Sequence, residues 1–323
     1  MNKIVWGDCI DLLDKVREPF ADLVFADPPF NIGYKYDKYH DKVKSKNYIA
    51  WTRDWMAACK NVLKPNGSFY IAIGDDYAAN VKIIADELGL VMRNWIIWHY
   101  TFGQQTKSKF ARAHTHIFYF VNDKADFTFN DHTVRVPSDR QLIYNDKRAN
   151  SKGKMPDDVW TEFSRVCGTF KERQGWHPCQ MPESVLARII SASSNPGDCV
   201  LDPFSGSGTT AATAYKLGRD YTGIDMSEEY VVNSRKRLAE IKKHDQNDMV
   251  LGGNSLFGNG ESFSHIEVGE LKRLLADMGM SAKEVTSDST LIALVAGQFA
   301  VRMNDGRTYH PETMATALGE LVD

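Results

Sequence analysis

Along the first two thirds of the chain, short apolar runs end in polar or glycine-rich turns. Ile4-Val5-Trp6 precedes Gly7-Asp8, Leu23-Val24-Phe25-Ala26 precedes Asp27-Pro28-Pro29, and Ser68 to Ile73 precedes Gly74-Asp75. Short apolar runs bounded by turn residues read as buried strands. Between them, Tyr48 to Leu63 and Tyr77 to Leu88 have the length of helices. The rhythm returns further on. Pro182 to Ala192 reads as a helix, Cys199 to Leu201 as a strand, Thr209 to Leu217 as a helix and Tyr221 to Ile224 as a strand. Ser227 to Lys242 reads as an amphipathic helix opening on a serine cap and an acidic first turn. Strands and helices that alternate in this way predict an α/β fold built on a mostly parallel, doubly wound sheet.

The pattern breaks in two places. Residues 122–176 carry few long apolar runs, and Arg135 to Lys154 holds six basic residues against Asp139 and Asp146. This segment reads as a basic insertion or as a solvated loop excursion. Residues 245–262 are rich in Asn, Gly and Ser and are expected to be a linker. The expected organisation is a core domain over 1–244, the linker, and a small helical module over 263–323. In the module, Val268, Leu271, Leu274, Leu275 and Met278 share a face, and a second apolar run covers Leu291 to Val301. A chain of 323 residues has room for one large core plus such a module.

Composition narrows the function classes. There are 39 basic and 42 acidic residues, so the whole molecule is no polycation, and any nucleic-acid surface must be local. Residues 251–323 hold ten acidic and five basic residues, which makes the tail a poor phosphate-tracking surface. Five scattered cysteines without a C-x-x-C pair argue against a disulfide framework and a zinc ribbon, and fit a reducing cytoplasm. Neither a signal peptide nor a membrane span is expected.

Two loops at predicted strand ends carry the chemistry. In Asp202-Pro203-Phe204-Ser205-Gly206-Ser207-Gly208-Thr209, the glycines would let a ligand approach the backbone, and Asp225 ends the next strand where a ribose hydroxyl pair would lie. The loop describes an adenosine-containing cofactor or a structural tight turn, and its missing third glycine disfavours NAD. In Asp27-Pro28-Pro29-Phe30, two prolines fix φ and remove donors, leaving the Pro28 carbonyl free to accept beside the Asp27 carboxylate. Two acceptors on an exocyclic amine favour a pyramidal nitrogen and stabilise the charge that develops as it attacks a methyl sulfonium. Phe30 offers a ring face for a base, worth about 1–3 kcal/mol. A plain strand-terminating turn is the alternative. Tyr34 to Lys46, basic and aromatic, reads as a lid.

Taken in order, Gly7-Asp8-Cys9, Asp27 to Phe30 with Asn31-Ile32-Gly33, Leu63 to Ser68, His177 to Pro182, Phe204 to Gly208 and Asp225 resemble the β group of DNA amino-methyltransferases. The resemblance covers about residues 3 to 242, with Phe30, Cys179 and Met181 in place of the commoner Tyr, Thr and Lys. It implies a Rossmann-like fold dependent on S-adenosylmethionine, with an inserted target-recognition region, and adenine-N6 methylation of double-stranded DNA at specific sites, as in restriction-modification. Asp27 and the Pro28 carbonyl would hold the target nitrogen, with Pro29 and Phe30 completing the catalytic motif. Phe204, Ser205, Gly206, Ser207, Gly208, Thr209 and Asp202 would line the cofactor's methionine and adenosine side. Asp225 would take the ribose hydroxyls, Asp8 and Cys9 the adenine rim, and His177 and Gln180 would close the pocket. A flipped-out base is needed, at a cost of a few kcal/mol. Asn31, Lys35, Arg112, Arg140, Lys147, Arg148, Arg165, Lys171 and Arg173 are the candidate DNA contacts. No metal is implied, and a homodimer is compatible with the family.

Pro178-Cys179-Gln180 matches the nucleophile triplet of cytosine ring-carbon methyltransferases, but it precedes the glycine motif, and Asp27-Pro28-Pro29-Phe30 already fills the catalytic position. Cytosine-N4 methylation is the nearer rival, with Ser usual where this chain has Asp27. An RNA or protein-amide methyltransferase and a non-catalytic DNA-binding module stand further off.

Overall fold

The structure, a computed structural model, describes residues 2–34, 37–38, 41–104, 106–136, 138, 140, 144, 146, 148, 150, 153–168, 170, 172–250, 263, 268, 271–272, 274–275, 278, 280–303, 309, 311–319 and 321. The chain forms two compact units. The first comprises residues 1–130 and 157–241, the second residues 131–156 and 242–323.

The first unit is built on a sheet of β1 (Lys3–Trp6), β2 (Ala21–Ala26), β3 (Leu63–Ile73), β4 (Val91–Gln104), β5 (Arg112–Val121), β6 (Val159–Trp160), β7 (Cys199–Asp202) and β8 (Asp220–Asp225). Its order is β1-β8-β7-β2-β3-β5-β4-β6. The pairs β1·β8, β8·β7, β7·β2, β2·β3 and β4·β6 are parallel, while β3·β5 and β5·β4 are antiparallel. The mostly parallel sheet matches expectation. The sequence reading assigns nothing between Val91 and Val121, where the structure has its longest hairpin.

Two-residue alternation sends the strands' side chains to opposite faces. Leu23, Phe25, Tyr70 and Ala72 pack with Val185, Leu186 and Ile189 of α5 (Glu183–Ser193), Ala211 and Ala212 of α6 (Thr209–Lys216), and Val231 and Leu238 of α7 (Glu228–Val250). Val24, Ala26, Phe69, Ile71 and Ile73 pack with Leu13 of α1 (Cys9–Leu13), Trp55 and Met56 of α2 (Ser45–Val62), and Val81 and Ile84 of α3 (Asp75–Glu87). In α2 the buried Tyr48, Thr52, Trp55, Met56, Cys59 and Val62 recur at three- and four-residue spacing, so packing of one face sustains a helix that has no side-chain cap. The expected serine cap of α7 is present, with the Ser227 hydroxyl accepting from the Tyr230 amide at 3.3 Å.

The expected insertion over 122–176 is divided between the units. Residues 122–130 and 157–176 belong with the sheet, and β6 gives that stretch a parallel pairing at Ile97 and Trp98. Residues 131–156, with the helical turn α4 (Asp131–Val134) and the Val136–Lys154 bridge, belong to the second unit. Helix α7 runs on to Val250, six residues into the expected linker, and 251–262 lie outside the described residues. The second unit is helical as expected, with α8 (Ala282–Thr286), α9 (Ser289–Met303) and α10 (Pro311–Gly319). Its core joins Leu271, Leu274 and Leu275 to Val285, Val295, Phe299 and Met314. Among the described residues no helix is long and apolar enough to cross a membrane.

Candidate active site

Strands β2 and β7 are neighbours, with Val24 opposite Leu201. From β2 the chain crosses through α2 to β3 on one side, and from β7 through α6 to β8 on the other. The two turns therefore part at the carboxyl edge of the sheet and leave a crevice between them. A cavity of about 330 Å³ opens there. Asp27, Pro28, Pro29 and Phe30 line one side, and Asp202, Phe204, Ser205, Gly206, Ser207 and Thr209 the other. Asp225 from the end of β8, Asp8 and Cys9 from the end of β1, and His177 and Gln180 complete the wall. Gly208 does not line it: with φ +72° it starts α6, its backbone against Ser234.

The proline turn is fixed from outside. The Tyr48 hydroxyl donates to the Pro29 carbonyl at 2.6 Å. Among the described residues no protein donor meets the Pro28 carbonyl. Phe30 lies over Gly74, where a Cβ would stand 3.2 Å from its ring. Asn31 has φ +58°, a conformation that Asn tolerates. Its side-chain amide donates to the Val43 carbonyl at 3.0 Å and to the Tyr77 hydroxyl at 2.7 Å, and its oxygen accepts from the Val43 amide at 2.7 Å. The expectation of a DNA contact is corrected here, because this side chain is spent holding the loop. Asp41, which is buried, accepts from the amides of Asn31, Ile32 and Tyr34.

The glycine turn is held on both flanks. The Asp225 carboxylate accepts from the Gly206 amide at 2.7 Å and the Ser227 amide at 2.8 Å. At Gly206, with φ +44°, a Cβ would come 2.7 Å from Nε2 of His177, so glycine is required for close approach as well as conformation. Behind the turn, the Arg237 guanidinium donates to the Ser207 carbonyl and the Thr209 hydroxyl, each at 3.0 Å, and to Glu183 at 2.7 Å. Glu183 also accepts from Lys216 at 2.6 Å. The Gln180 side chain accepts from the Gln174 amide and donates to the Glu172 carbonyl, so it folds its own loop at the cavity's edge. Asp8 accepts from the amides of Ile10 and Asp11 and caps α1.

Burial dominates the electrostatics. It pushes Asp27 up to about 7, with Asp202 adding repulsion and Arg165 opposing it. Asp202 also rises to about 7 through burial, against hydrogen bonds from the Thr210 hydroxyl and the Phe204 amide. Asp225 is raised by burial. Burial lowers His177 to about 4, so its ring is neutral near pH 7. The Cys179 thiol is pushed up to about 11, chiefly by burial and then by Asp27, which makes it a poor nucleophile.

The cationic candidates fare unevenly. Arg112 pairs with Asp75 at 2.8 Å and with Asp76 at 3.2 Å, so it is no free phosphate contact. Arg165 lines the cavity with its guanidinium 4.9 Å from the Tyr100 ring centroid. Arg173 is exposed. Arg140 and Arg148, in the second unit, both pair with Asp146. Lys35, Lys147 and Lys171 lie outside the described residues. Sequence reasoning missed Trp98, Tyr100 and Thr115 of the β4–β5 hairpin, whose two-residue spacing of aromatics was the available signal, and Asp37, Lys38 and Tyr230. Asp37 accepts from the Ser227 hydroxyl at 2.7 Å.

Comparison with known proteins agrees with this architecture. A family model described as DNA methylase matches residues 21–236. The chain is 37% identical over 238 residues to the type II methyltransferase M.HpaI of Haemophilus parainfluenzae, covering 73% of this chain and 74% of that one. It is 37% identical over 249 residues to the DNA adenine methyltransferase YhdJ of Escherichia coli K12, covering 75% and 83%. In fold it is similar to the DNA modification methylase TTHA0409 of Thermus thermophilus complexed with S-adenosyl-L-methionine, with TM-score 0.55, 19% identity, and 75% and 94% of the two chains covered. It is likewise similar to the cytosine-N4-specific PvuII DNA methyltransferase, with TM-score 0.55, 20% identity, and 79% and 94% covered.

Proposed function

The chain belongs to the DNA methylase family, and from that premise we propose that it transfers a methyl group from S-adenosylmethionine to N6 of an adenine extruded from duplex DNA. The observation that carries the reading is the cavity shared by the Asp27-Pro28-Pro29-Phe30 and Asp202 to Ser207 turns on adjacent strands. Adenine is favoured by Asp27 and by two relatives of 37% identity, one of them a DNA adenine methyltransferase by name. The likeness to a cytosine-N4 enzyme, at 20% identity, speaks for the fold alone.

The residues present fit the cofactor. Ser205 Oγ and His177 Nδ1 are buried without a protein partner among the described residues, and both residues line the cavity. The carboxylates of Asp8, Asp202 and Asp225 share that wall with Gly206, whose bare Cα leaves room. Asp225 would hold the ribose hydroxyls, Asp8 and Cys9 the adenine, and Phe204 to Ser207 the methionine side. S-adenosylmethionine, when bound, supplies a methyl group on a positively charged sulfur.

The chain's own residues do the rest. Asp27 and the Pro28 carbonyl accept the two hydrogens of the adenine amine, draw its lone pair out of the ring and stabilise the positive charge the nitrogen acquires. Phe30, seated on Gly74, stacks on the base. The methylated ammonium is acidic enough to lose its proton to water, so Asp27 orients more than it deprotonates. Its raised pKa leaves the acceptor form dominant only above about 7.

The test is single-molecule sequencing of genomic DNA from an expressing host. N6-methyladenine in one short sequence context, absent with Asp27→Ala, is the expected result. N4-methylcytosine, or no modified base with the wild-type protein, would overturn it.

A further inference from the structure

Between β4 and β5 the chain turns at residues 105–111, and the Thr106 hydroxyl donates to the Lys109 carbonyl across that turn. Lys107, Ser108, Lys109 and Phe110 are exposed, and Phe110 is 99% exposed, the highest value among the large exposed apolar side chains described. The turn ends at the mouth of the active site. Arg112, two residues on, and His114, four residues on, both line the cavity. Two residues of chain place Phe110 within about 7 Å of Arg112, measured along the backbone.

The hairpin behind Phe110 is firmly built. Strand β5 is hydrogen-bonded on both sides, to β3 and to β4, and Arg112 is paired to Asp75 and Asp76. A bare aromatic ring is thus carried on a stiff support at the rim of a pocket that must receive an extruded base, with a lysine one residue and another three residues before it. An apolar ring between cations suits a polyanion with stacked planar groups better than an apolar protein partner. Proteins that distort duplexes insert such rings between base steps, and a flipped base leaves a gap in the stack to be filled.

We propose that Phe110 is a wedge that enters the duplex beside the target and occupies the stack vacated by the flipped base, while Lys107 and Lys109 hold the flanking phosphates. The inference rests on the reading of the protein as a methyltransferase of duplex DNA. It assigns a task to a residue that touches neither cofactor nor reacting atoms. Phe110 is therefore a positioning residue, and it acts on the flipping equilibrium instead of the methyl transfer itself.

The experiment compares single-turnover methylation of two duplexes carrying the mapped site, one fully paired and one with an abasic position opposite the target adenine. The second needs little energy to flip. Phe110→Ala should slow the paired duplex at least about tenfold and the abasic one no more than about twofold, and Phe110→Trp should keep both rates. With 2-aminopurine at the target, the fluorescence rise on binding should shrink in Phe110→Ala. Equal rates for Phe110→Ala and wild type on both duplexes, or equal losses on both, would overturn the wedge while leaving the methyltransferase reading intact. A wild-type protein that methylates neither duplex would overturn that reading and the wedge with it.

Discussion

Arg237 and Glu183 meet at 2.7 Å beneath the glycine turn, both nearly removed from solvent, and the same guanidinium reaches the Ser207 carbonyl. The pair joins α7 to α5 and holds from behind the turn whose front would face the cofactor. Removing one partner leaves the other charge buried and unpaired, at a cost of about 3–5 kcal/mol. Arg237→Met should lower the urea midpoint accordingly and weaken S-adenosylmethionine binding by calorimetry. The double variant Arg237→Met with Glu183→Gln should regain part of the stability but not the affinity, because the Ser207 carbonyl stays unheld. Full recovery of both would show that the pair only packs.

A pH profile tests Asp27. Its carboxyl is raised from 3.8 to about 7, so the acceptor form fills as pH climbs through 7, and kcat/KM should rise with an inflection there. The sign for stability is the opposite. Between about 4 and 7 the folded protein holds a proton that the unfolded chain has lost, so this group's contribution to stability falls as pH rises. Asp27→Asn, neutral throughout, should match the wild-type melting temperature at pH 5 and exceed it at pH 8, by up to about 4 kcal/mol in stability. Its activity should fall and lose the inflection near 7. An unchanged inflection in that variant would move the titration to another group.

Gly206 and Gly197 separate strain from contact. Both have positive φ, +44° and +88°, but a Cβ at Gly197 meets nothing within 4 Å, whereas one at Gly206 meets the His177 ring. Alanine at Gly197 should cost only the left-handed backbone, about 1–2 kcal/mol, and leave cofactor affinity alone. Alanine at Gly206 adds displacement of the imidazole and should weaken cofactor binding at least about tenfold, a loss of about 1.4 kcal/mol. In a double-mutant cycle, His177→Ala should relieve part of the Gly206→Ala effect. Strict additivity would show that the ring is not the obstacle.

Much of this was legible in the sequence, for stated reasons. Strands β2 and β7 announce themselves because both are buried on two faces and end in turn residues, and the chemistry sits in those turns. The β4–β5 hairpin was missed because it is long and aromatic, with half-exposed positions such as Trp95 beside buried ones such as Ile96 and Trp98, so neither a short apolar run nor a helical spacing stands out. Arg112 and Asn31 were assigned outward because composition cannot reveal partners. Asp75, Asp76, Tyr77 and Val43 reach them only through tertiary folding. Arg237 and Glu183, 54 residues apart, left no local signal at all.

Asp41 supplies the last prediction. It is 2% exposed and accepts from the amides of Asn31 at 2.6 Å, Ile32 at 3.2 Å and Tyr34 at 2.9 Å, so one carboxylate shapes the loop that follows Phe30. Hydrogen bonds to a charged group contribute about 1.5–3 kcal/mol each, and the stranded amides would be buried donors. The damage should nonetheless stay local, since the loop is not part of either hydrophobic cluster that sustains the sheet. Asp41→Ala should therefore speed amide exchange at Asn31, Ile32 and Tyr34 by at least about tenfold while β2 and β7 keep their protection. Methylation should slow through kcat, because Pro28 and Phe30 lose a fixed position, and cofactor affinity should hold. Asp41→Asn, which keeps one acceptor oxygen, should fall between the two. Uniform loss of protection across the sheet would instead make Asp41 a determinant of global stability.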